Sequence, residues 1–311
     1  MEYEGRKAAK KRQADLDNQS WQPFPTVTFP VRTKQPELGE WVEDNGVMGH
    51  YAWNLNEEYL GEPCRISLYL PVGPHAAHSL PCVVFAPGSY DPIAGSAMAE
   101  ADLDEAVGFA ESGFAVLIYE TSGFSSISRP RERWGSVIEF MRSEGGAHIA
   151  RSAMNLLEAR AVMVDMNRVY AVGHESSAPL ALNLAANDPR IHGVALFAPS
   201  TDIEKNLGEP LATVEKQVKI QGLREFVGRI SPVNRIKDLH CPILVLGSEE
   251  TASSDGVAFA AAMTKAGKPV VSEPLQAERS RDFLRSSMVP AMAKWLRSLS
   301  PAGAGPKAVP R

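Results

Sequence analysis

The sequence predicts an α/β protein with a mostly parallel sheet and helices on both of its faces. Three observations carry that expectation. Short, continuous apolar runs recur: LPCVVFAP at Leu80–Pro87, FAVLIY at Phe114–Tyr119, Val169–Val172, Gly193–Phe197 and ILVL at Ile243–Leu246. Runs of this length without alternation read as strands covered on both faces. Helical periodicity fills the gaps between them, at 98–112, 146–164, 178–187 and 255–266. Finally, 44% hydrophobic and 22% charged residues over 311 positions give a globular composition with enough apolar surface for a core.

The remaining elements follow the same logic. Residues 64–71, CRISLYLP, alternate as a half-buried strand does. Gly113 stands where a helix over 98–112 needs a C-cap. Val270–Glu273 reads as a short late strand, and 284–298 as a last helix. Right-handed crossovers then place the helices on both sides of one sheet. Residues 1–22 are polar and read as a flexible tail, 23–63 as an N-terminal β extension, and 64–299 as one domain. Within it, the charged, helical stretch 201–240 reads as a small cap over the carboxyl edge of the sheet. Residues 300–311, SPAGAGPKAVPR, read as a second flexible tail.

Several function classes drop out at this level. With 32 basic against 37 acidic side chains the formal charge is −5, which exerts no general pull on nucleic acid. Arg6, Lys7, Lys10, Lys11 and Arg12 are followed by polar residues, so they read as a solvated tail rather than a secretory signal. No run approaches 18 apolar residues, so no membrane span is expected. A cytoplasmic location follows, although a mature secreted domain would read the same. Cys82 and Cys241 begin apolar runs and read as buried thiols. No phosphate loop, H-E-x-x-H helix or cysteine cluster is present, so neither cofactor nor metal is expected.

Ligands of such sheets meet the carboxyl ends of the strands. The most informative stretch there is DMNRVYAVGHESSAPLALNLAA, from Asp165 to Ala186. A strand runs into Gly173-His174-Glu175-Ser176-Ser177 and a helix begins at once. This is the layout of a nucleophile elbow, G-x-S-x-G, with small residues two before and two after the apex. Gly173 and Ser177 meet that demand, and the apex holds Glu175. Taking Ser176 as the apex instead would put His174 at a small position, which the tight turn does not accept.

With these segments the chain resembles the α/β-hydrolase superfamily, particularly its dienelactone hydrolase, prolyl oligopeptidase and acyl-peptidase branch. VVFAPG with Ser89 and Tyr90 looks like the first strand and oxyanion loop, and ESGFAVLIYETSGF like the next strand with its acidic turn. SPVNRIKDLHCPILVLGSEE looks like the approach to the acid-bearing strand. The likeness spans about residues 64–298. It implies a nucleophile, an acid and a histidine in that chain order. The nucleophile position matches Glu175. The acid position matches Glu250, with Asp255 second. The histidine should follow the last strand, where Arg279 stands nearby. The seven histidines are His50, His75, His78, His148, His174, His192 and His240, so none lies there.

The oxyanion or ligand-binding positions implied by the resemblance are Gly88, Ser89, Tyr90 and Ser176. The substituted triad leads to a pseudo-hydrolase that binds a small-molecule ligand or a protein partner. The alternative is an active hydrolase, esterase- or peptidase-like, using Glu175 as carboxylate nucleophile or general base. Haloalkane dehalogenases and epoxide hydrolases use an aspartate at the elbow, but they also need a histidine to activate water. An ordinary esterase altered only at its nucleophile would have kept that histidine. A Glu175–Arg279 ion pair would fill the retired site, and the N-terminus of the helix after the elbow favours an anion there. His174 reads as structural, and His148 as solvent-facing or a cap contact. Arg129, Arg131 and Arg133, beside Trp134, read as a solvated loop or a grip for an anionic ligand.

Overall fold

The computed structural model describes residues 42–43, 48–55, 63–88, 91–123, 133–207, 211–218, 220–247, 254–275 and 283–299. The expected tails at 1–22 and 300–311 lie outside them, as does most of 23–63. Among the described residues, nine strands form one sheet. They are β1 (Val42–Glu43), β2 (Met48–Leu55), β3 (Cys64–Pro71), β4 (Leu80–Phe85), β5 (Ala115–Tyr119), β6 (Val164–His174), β7 (Val194–Phe197), β8 (Ile243–Gly247) and β9 (Val270–Pro274). Their order is β1-β2-β3-β5-β4-β6-β7-β8-β9. The pairings β1–β2, β2–β3 and β3–β5 are antiparallel. From β5 onward every pairing is parallel.

The helices are α1 (Glu100–Glu111), α2 (Arg133–Arg142), α3 (Ala147–Arg160), α4 (Ala178–Asn187), α5 (Ile203–Asn206), α6 (Leu211–Val218), α7 (Leu223–Ile230), α8 (Ser254–Lys265) and α9 (Val289–Ser298). On one face of the sheet, Ile149, Met154 and Leu157 of α3, Leu182 of α4 and Phe259 and Met263 of α8 pack against Val84, Leu117, Ala171 and Leu196. On the other face, Val107 and Phe109 of α1 and Val289, Met292 and Leu296 of α9 pack against Val83, Val116, Val172 and Ala195. Alternate residues of each central strand therefore enter opposite cores, which is why these strands read as unbroken apolar runs.

A third cluster belongs to the segment after β7. Ile203, Leu211, Val214, Leu223, Phe226 and Ile230 pack with Val137 and Phe140 of α2. The α5–α7 insertion is thus fastened to the main body through α2, with Phe226 edge-on to Phe140 at 6.0 Å between ring centroids.

Some elements differ from the sequence reading. β3 is not half-buried. Ile66 and Leu68 enter one core, Tyr69 the other, and Ser67 between them is also buried. Both cores extend over the strand, so neither face meets water. Helix α3 ends at Arg160, and β6 begins at Val164, earlier than the Val169–Val172 run indicates. The arginine-rich loop gives way to a helix: Arg133 is the first residue of α2, while Arg129 and Arg131 lie outside the described residues. The last helix opens as a π turn over Leu284–Met288 before α9. Pro290, in the first turn of α9, has no N–H to give the regular ladder there. His148 is 5% exposed rather than solvent-facing. The end of α7 closes over the first turn of α3, and Arg229 and Ile230 share a cavity wall with it.

Cys64, Cys82 and Cys241 are buried thiols, none of them in a disulfide. Burial pushes the Cys82 thiol far up and the Cys241 thiol up to about 11, so neither is a nucleophile at neutral pH. No helix among the described residues is long and apolar enough to cross a membrane.

Phe226 is fully buried where the insertion meets α2. Phe226→Ala is expected to cost about 3–5 kcal/mol of stability. Urea unfolding followed by tryptophan fluorescence checks this; a loss under about 1 kcal/mol would mean that the insertion contributes little to the common core.

Candidate functional site

The elbow forms at the carboxyl end of β6. His174 ends the strand, Glu175–Ser177 make one 3₁₀ turn, and α4 starts at Ala178. Glu175 lies at φ 45°, in the left-handed region that a side chain with a Cβ avoids. Such a conformation costs about 1–3 kcal/mol and persists only when the surroundings impose it. Here the imposing contact is visible. A Cβ on Gly173 would sit 2.9 Å from the Cα of Ala178 and 3.0 Å from its nitrogen. Only glycine lets β6 and α4 approach so closely. Ser177 is buried, and its hydroxyl accepts from the His174 N–H at 2.8 Å and donates to the His174 carbonyl at 3.0 Å. The Glu175 carbonyl accepts from the N–H of Ser200 at 3.1 Å, tying the apex to the loop after β7. Ala198 in that loop is also at positive φ, 43°. The side chains of Glu175 and Ser176 are exposed.

Behind the apex lies a buried charge cluster. Nδ1 of His174 is 3.1 Å from Oε2 of Glu105, whose side chain is 1% exposed. His174 is the charge partner of this buried carboxylate, which has no other hydrogen-bond partner among the described residues. Burial alone would lower the basicity of His174. The charge and hydrogen bonding of Glu105, together with the charges of Glu175 and Asp102, outweigh it, and the imidazole is pushed up to about 9. Asp102, one helical turn before Glu105, accepts from the Ala99 N–H at 2.7 Å and is pushed upward by its burial. Asp102, Glu105, Ala106 and Phe109 share one face of α1. Carboxylates on an apolar stripe were the available signal for this cluster, which sequence reasoning missed.

The oxyanion loop approaches the elbow from β4. A Cβ on Gly88 would lie 2.6 Å from Oγ of Ser176 and 3.6 Å from the nitrogen of Ser177, so the Gly88 backbone is packed against the start of the elbow turn. The Gly88 carbonyl accepts from the Ser96 hydroxyl at 2.5 Å. Ser89 and Tyr90 lie outside the described residues. The acidic turn after β5 is structural: Glu120 accepts from the N–H groups of Met98 at 3.0 Å and Arg65 at 2.9 Å.

At the acid position, Glu250 lies outside the described residues. Asp255, at the start of α8, is 8% exposed and bound to the ammonium of Lys205 and the amide of Asn206, the latter at 3.3 Å. Lys205 and Asn206 both belong to α5. Asn206 also donates to the hydroxyl of Ser200, the residue bonded to the apex carbonyl. Asp255 therefore ties α8 to the insertion beside the elbow. Arg279 and the Glu175–Arg279 pair also lie outside the described residues. The structure thus brings together Glu175, Ser176 and Gly88, with His174 and Glu105 behind them.

A strand–turn–helix elbow with a positive-φ apex, set at the carboxyl edge of a mostly parallel sheet between two helical layers, defines the α/β-hydrolase fold, and the chain has that fold. No family model and no curated protein sequence matches it. Solved structures do. An acetyl xylan esterase from Paenibacillus sp. R4 is 16% identical, with a TM-score of 0.60 over 83% of this chain and 87% of that one. An S-formylglutathione hydrolase from Agrobacterium tumefaciens is 14% identical, with a TM-score of 0.56 over 85% and 99%. Thermogutta terrifontis esterase 2, in a form phosphoramylated by tabun, is 15% identical, with a TM-score of 0.56 over 76% and 90%. At such identities the likeness is one of fold.

Raising His174 from 6.5 to about 9 in the folded state has a signed consequence. The stabilisation is fully present below about pH 6.5 and is lost as pH rises through about 9. Glu105→Gln should move the imidazole titration down and remove this pH dependence. An NMR titration of the His174 ring, with urea unfolding at both ends of that range, measures both. An unchanged titration in the variant would show that Glu105 does not hold the imidazolium.

Proposed function

We propose that the chain is a hydrolase-fold protein that binds a small ligand or a protein partner at its elbow, without serine-type hydrolysis. The observation that carries the reading is Glu175, an exposed carboxylate at φ 45° where a nucleophilic hydroxyl would stand. Serine hydrolysis needs a hydroxyl and a base that removes its proton. The sequence has no serine at the apex and no histidine after His240. In this reading Glu175 accepts a donor group of the ligand. Backbone N–H groups around Ser176 and the Gly88–Tyr90 loop meet an acceptor group, as oxyanion loops do. By the resemblance, Glu250 at the acid position and Arg279 near the missing histidine are assigned to the same site. The motifs around 80–90 and 165–197 resemble those of the dienelactone hydrolase and prolyl oligopeptidase branch, and on that resemblance we assign the chain to it.

A second reading has one observation in its favour. The apex keeps its positive φ and its side chain is exposed, and solved structures similar in fold include esterases. In that reading Glu175 either attacks the ester carbonyl, expelling the alkoxide, which leaves as the alcohol with a proton from water, and forming a mixed anhydride that water then hydrolyses, or it takes the proton of a water that attacks the carbonyl and returns it to the departing alkoxide; the oxyanion loop stabilises the tetrahedral oxyanion in both.

Hydrolysis of p-nitrophenyl acetate by the wild type, Glu175→Gln and Glu175→Ser separates the two. All three are expected at the buffer rate, and Glu175→Ser gains nothing because no histidine activates the new hydroxyl. Wild-type turnover that disappears in Glu175→Gln would replace the binding reading with the catalytic one.

A further inference from the structure

β9 is the last strand of the sheet, and among the described residues no strand pairs with its outer edge. It runs parallel to β8, and parallel strands are ordinarily covered on both faces. This one is bare. Val270 is half-buried against the core, while Val271, Ser272, Glu273 and Pro274 are exposed, Val271 at 39%.

The pairing with β8 fixes which backbone groups face outward. The Ile243 N–H donates to the Pro269 carbonyl at 3.0 Å, and the Leu275 N–H to the Gly247 carbonyl at 2.7 Å. Strand backbones alternate with a period of two, so Val271 and Glu273 also turn their N–H and C=O groups toward β8. Val270, Ser272 and Pro274 turn theirs to the outer edge. Proline has no N–H, so the edge offers donors only at Val270 and Ser272.

That pattern is self-complementary. An antiparallel second copy centred on Val271 sets Val270 opposite Ser272 of that copy, and Ser272 opposite its Val270. Every outward donor of the pair then meets an acceptor. The two Val271 side chains face each other across the twofold axis, in the position where opposed side chains come closest. Glu273 stands opposite Pro269 of the second copy and meets no like charge. Centring on Val270 instead would set Ser272 against Lys268, whose N–H already donates to Met263. Centring on Ser272 would set Val270 against Pro274, which has no N–H to return. Edge strands are commonly guarded by a bulge or a lysine. The register of β9 runs unbroken from Val270 to Pro274, and the strand contains no lysine.

We propose that β9 is a homodimer interface, at which two chains join edge to edge, antiparallel about Val271, into one continuous sheet. The twofold axis stands normal to the sheet and closes the pair, leaving no further edge on that side. It also brings the α8 helices of the two copies onto the same face. Val257, at 60%, and Ala258 and Ala261 are exposed on that helix, and such small side chains let neighbouring helices approach closely.

Sedimentation equilibrium of the full chain at up to about 100 μM tests the proposal. The expected mass is twice the 33.7 kDa of one chain. Val271→Arg places two guanidinium groups opposite each other at the axis and is expected to raise the dissociation constant at least about tenfold. Ser272→Pro removes an outward donor from each copy, leaves the bonds to β8 in place and is expected to weaken the dimer by a similar factor. Val162→Arg changes a valine that is 60% exposed in the loop before β6, away from the edge, and should leave the mass unchanged. Hydrogen exchange should show the Val270 and Ser272 amides protected in the wild type and open in Val271→Arg. Far-UV circular dichroism confirms that each variant is folded. A monomeric wild type overturns the proposal, and if its Val270 and Ser272 amides are protected all the same, the edge belongs to another segment of the same chain. A dimer that Val271→Arg leaves as tight as the wild type overturns it as well.

Discussion

The turn between β6 and α4 leaves 2.9 Å between the place a Cβ on Gly173 would take and the Cα of Ala178, and much of the sheet's carboxyl edge is arranged around that clearance. A strand that runs straight into a helix must reverse within three residues. The apex then takes the left-handed conformation at Glu175. Ser177 satisfies both backbone groups of His174, and the Glu175 carbonyl is handed to Ser200. Through Ser200, Asn206 and Asp255 the restraint reaches α5 and the start of α8. A local steric condition at one glycine thus holds three segments of the edge in register.

The electrostatics of the elbow follow from the same placement. His174 is the last residue of a buried strand, so its ring is directed at α1, where Glu105 is buried. A buried carboxylate without a partner would be far more costly than the pair, which accounts for a charged histidine in that position. The apex experiences the opposite environment. Glu175 projects into solvent. The charge that Glu175 experiences comes from the imidazolium one residue away.

Much of the fold was legible because both faces of the central strands are covered, which leaves their sequences apolar without a break. The same covering hid β3. Its Ser67 reads as an outward residue, yet lies at a buried position between Ile66 and Leu68. Helix α2 was hidden because Arg133, its first residue, continues the alternation of Arg129 and Arg131 in the sequence. At the site, the elbow was legible from Gly173 and Ser177, since the turn admits only small residues there. Glu105 was not, because α1 is rich in acids and Glu105 is distinguished only by sharing a face with Phe109. Lys205 and Asn206 were illegible for another reason: their partner Asp255 lies about fifty residues on, and no local period links α5 to the start of α8.

The strain at Glu175 is sometimes the best sign of a working active site, since proteins concentrate such conformations where chemistry needs them. In this elbow the sign is ambiguous for a physical reason. The positive φ is imposed by the close approach of β6 and α4, and that approach is fixed by Gly173, Ser177 and Ala178. Any residue at the apex would inherit it. The conformation therefore reports that the turn has been kept, and says nothing of the reaction. What separates a binding elbow from a hydrolytic one is the company of the apex side chain. Here the nearest imidazole is directed backward at Glu105, and Asp255, beside the acid position, is engaged by Lys205. Among the described residues, the two groups near the elbow that could serve a proton relay, His174 and Asp255, are instead used to pin helices α1 and α5 to the sheet edge, which supports the binding reading proposed above.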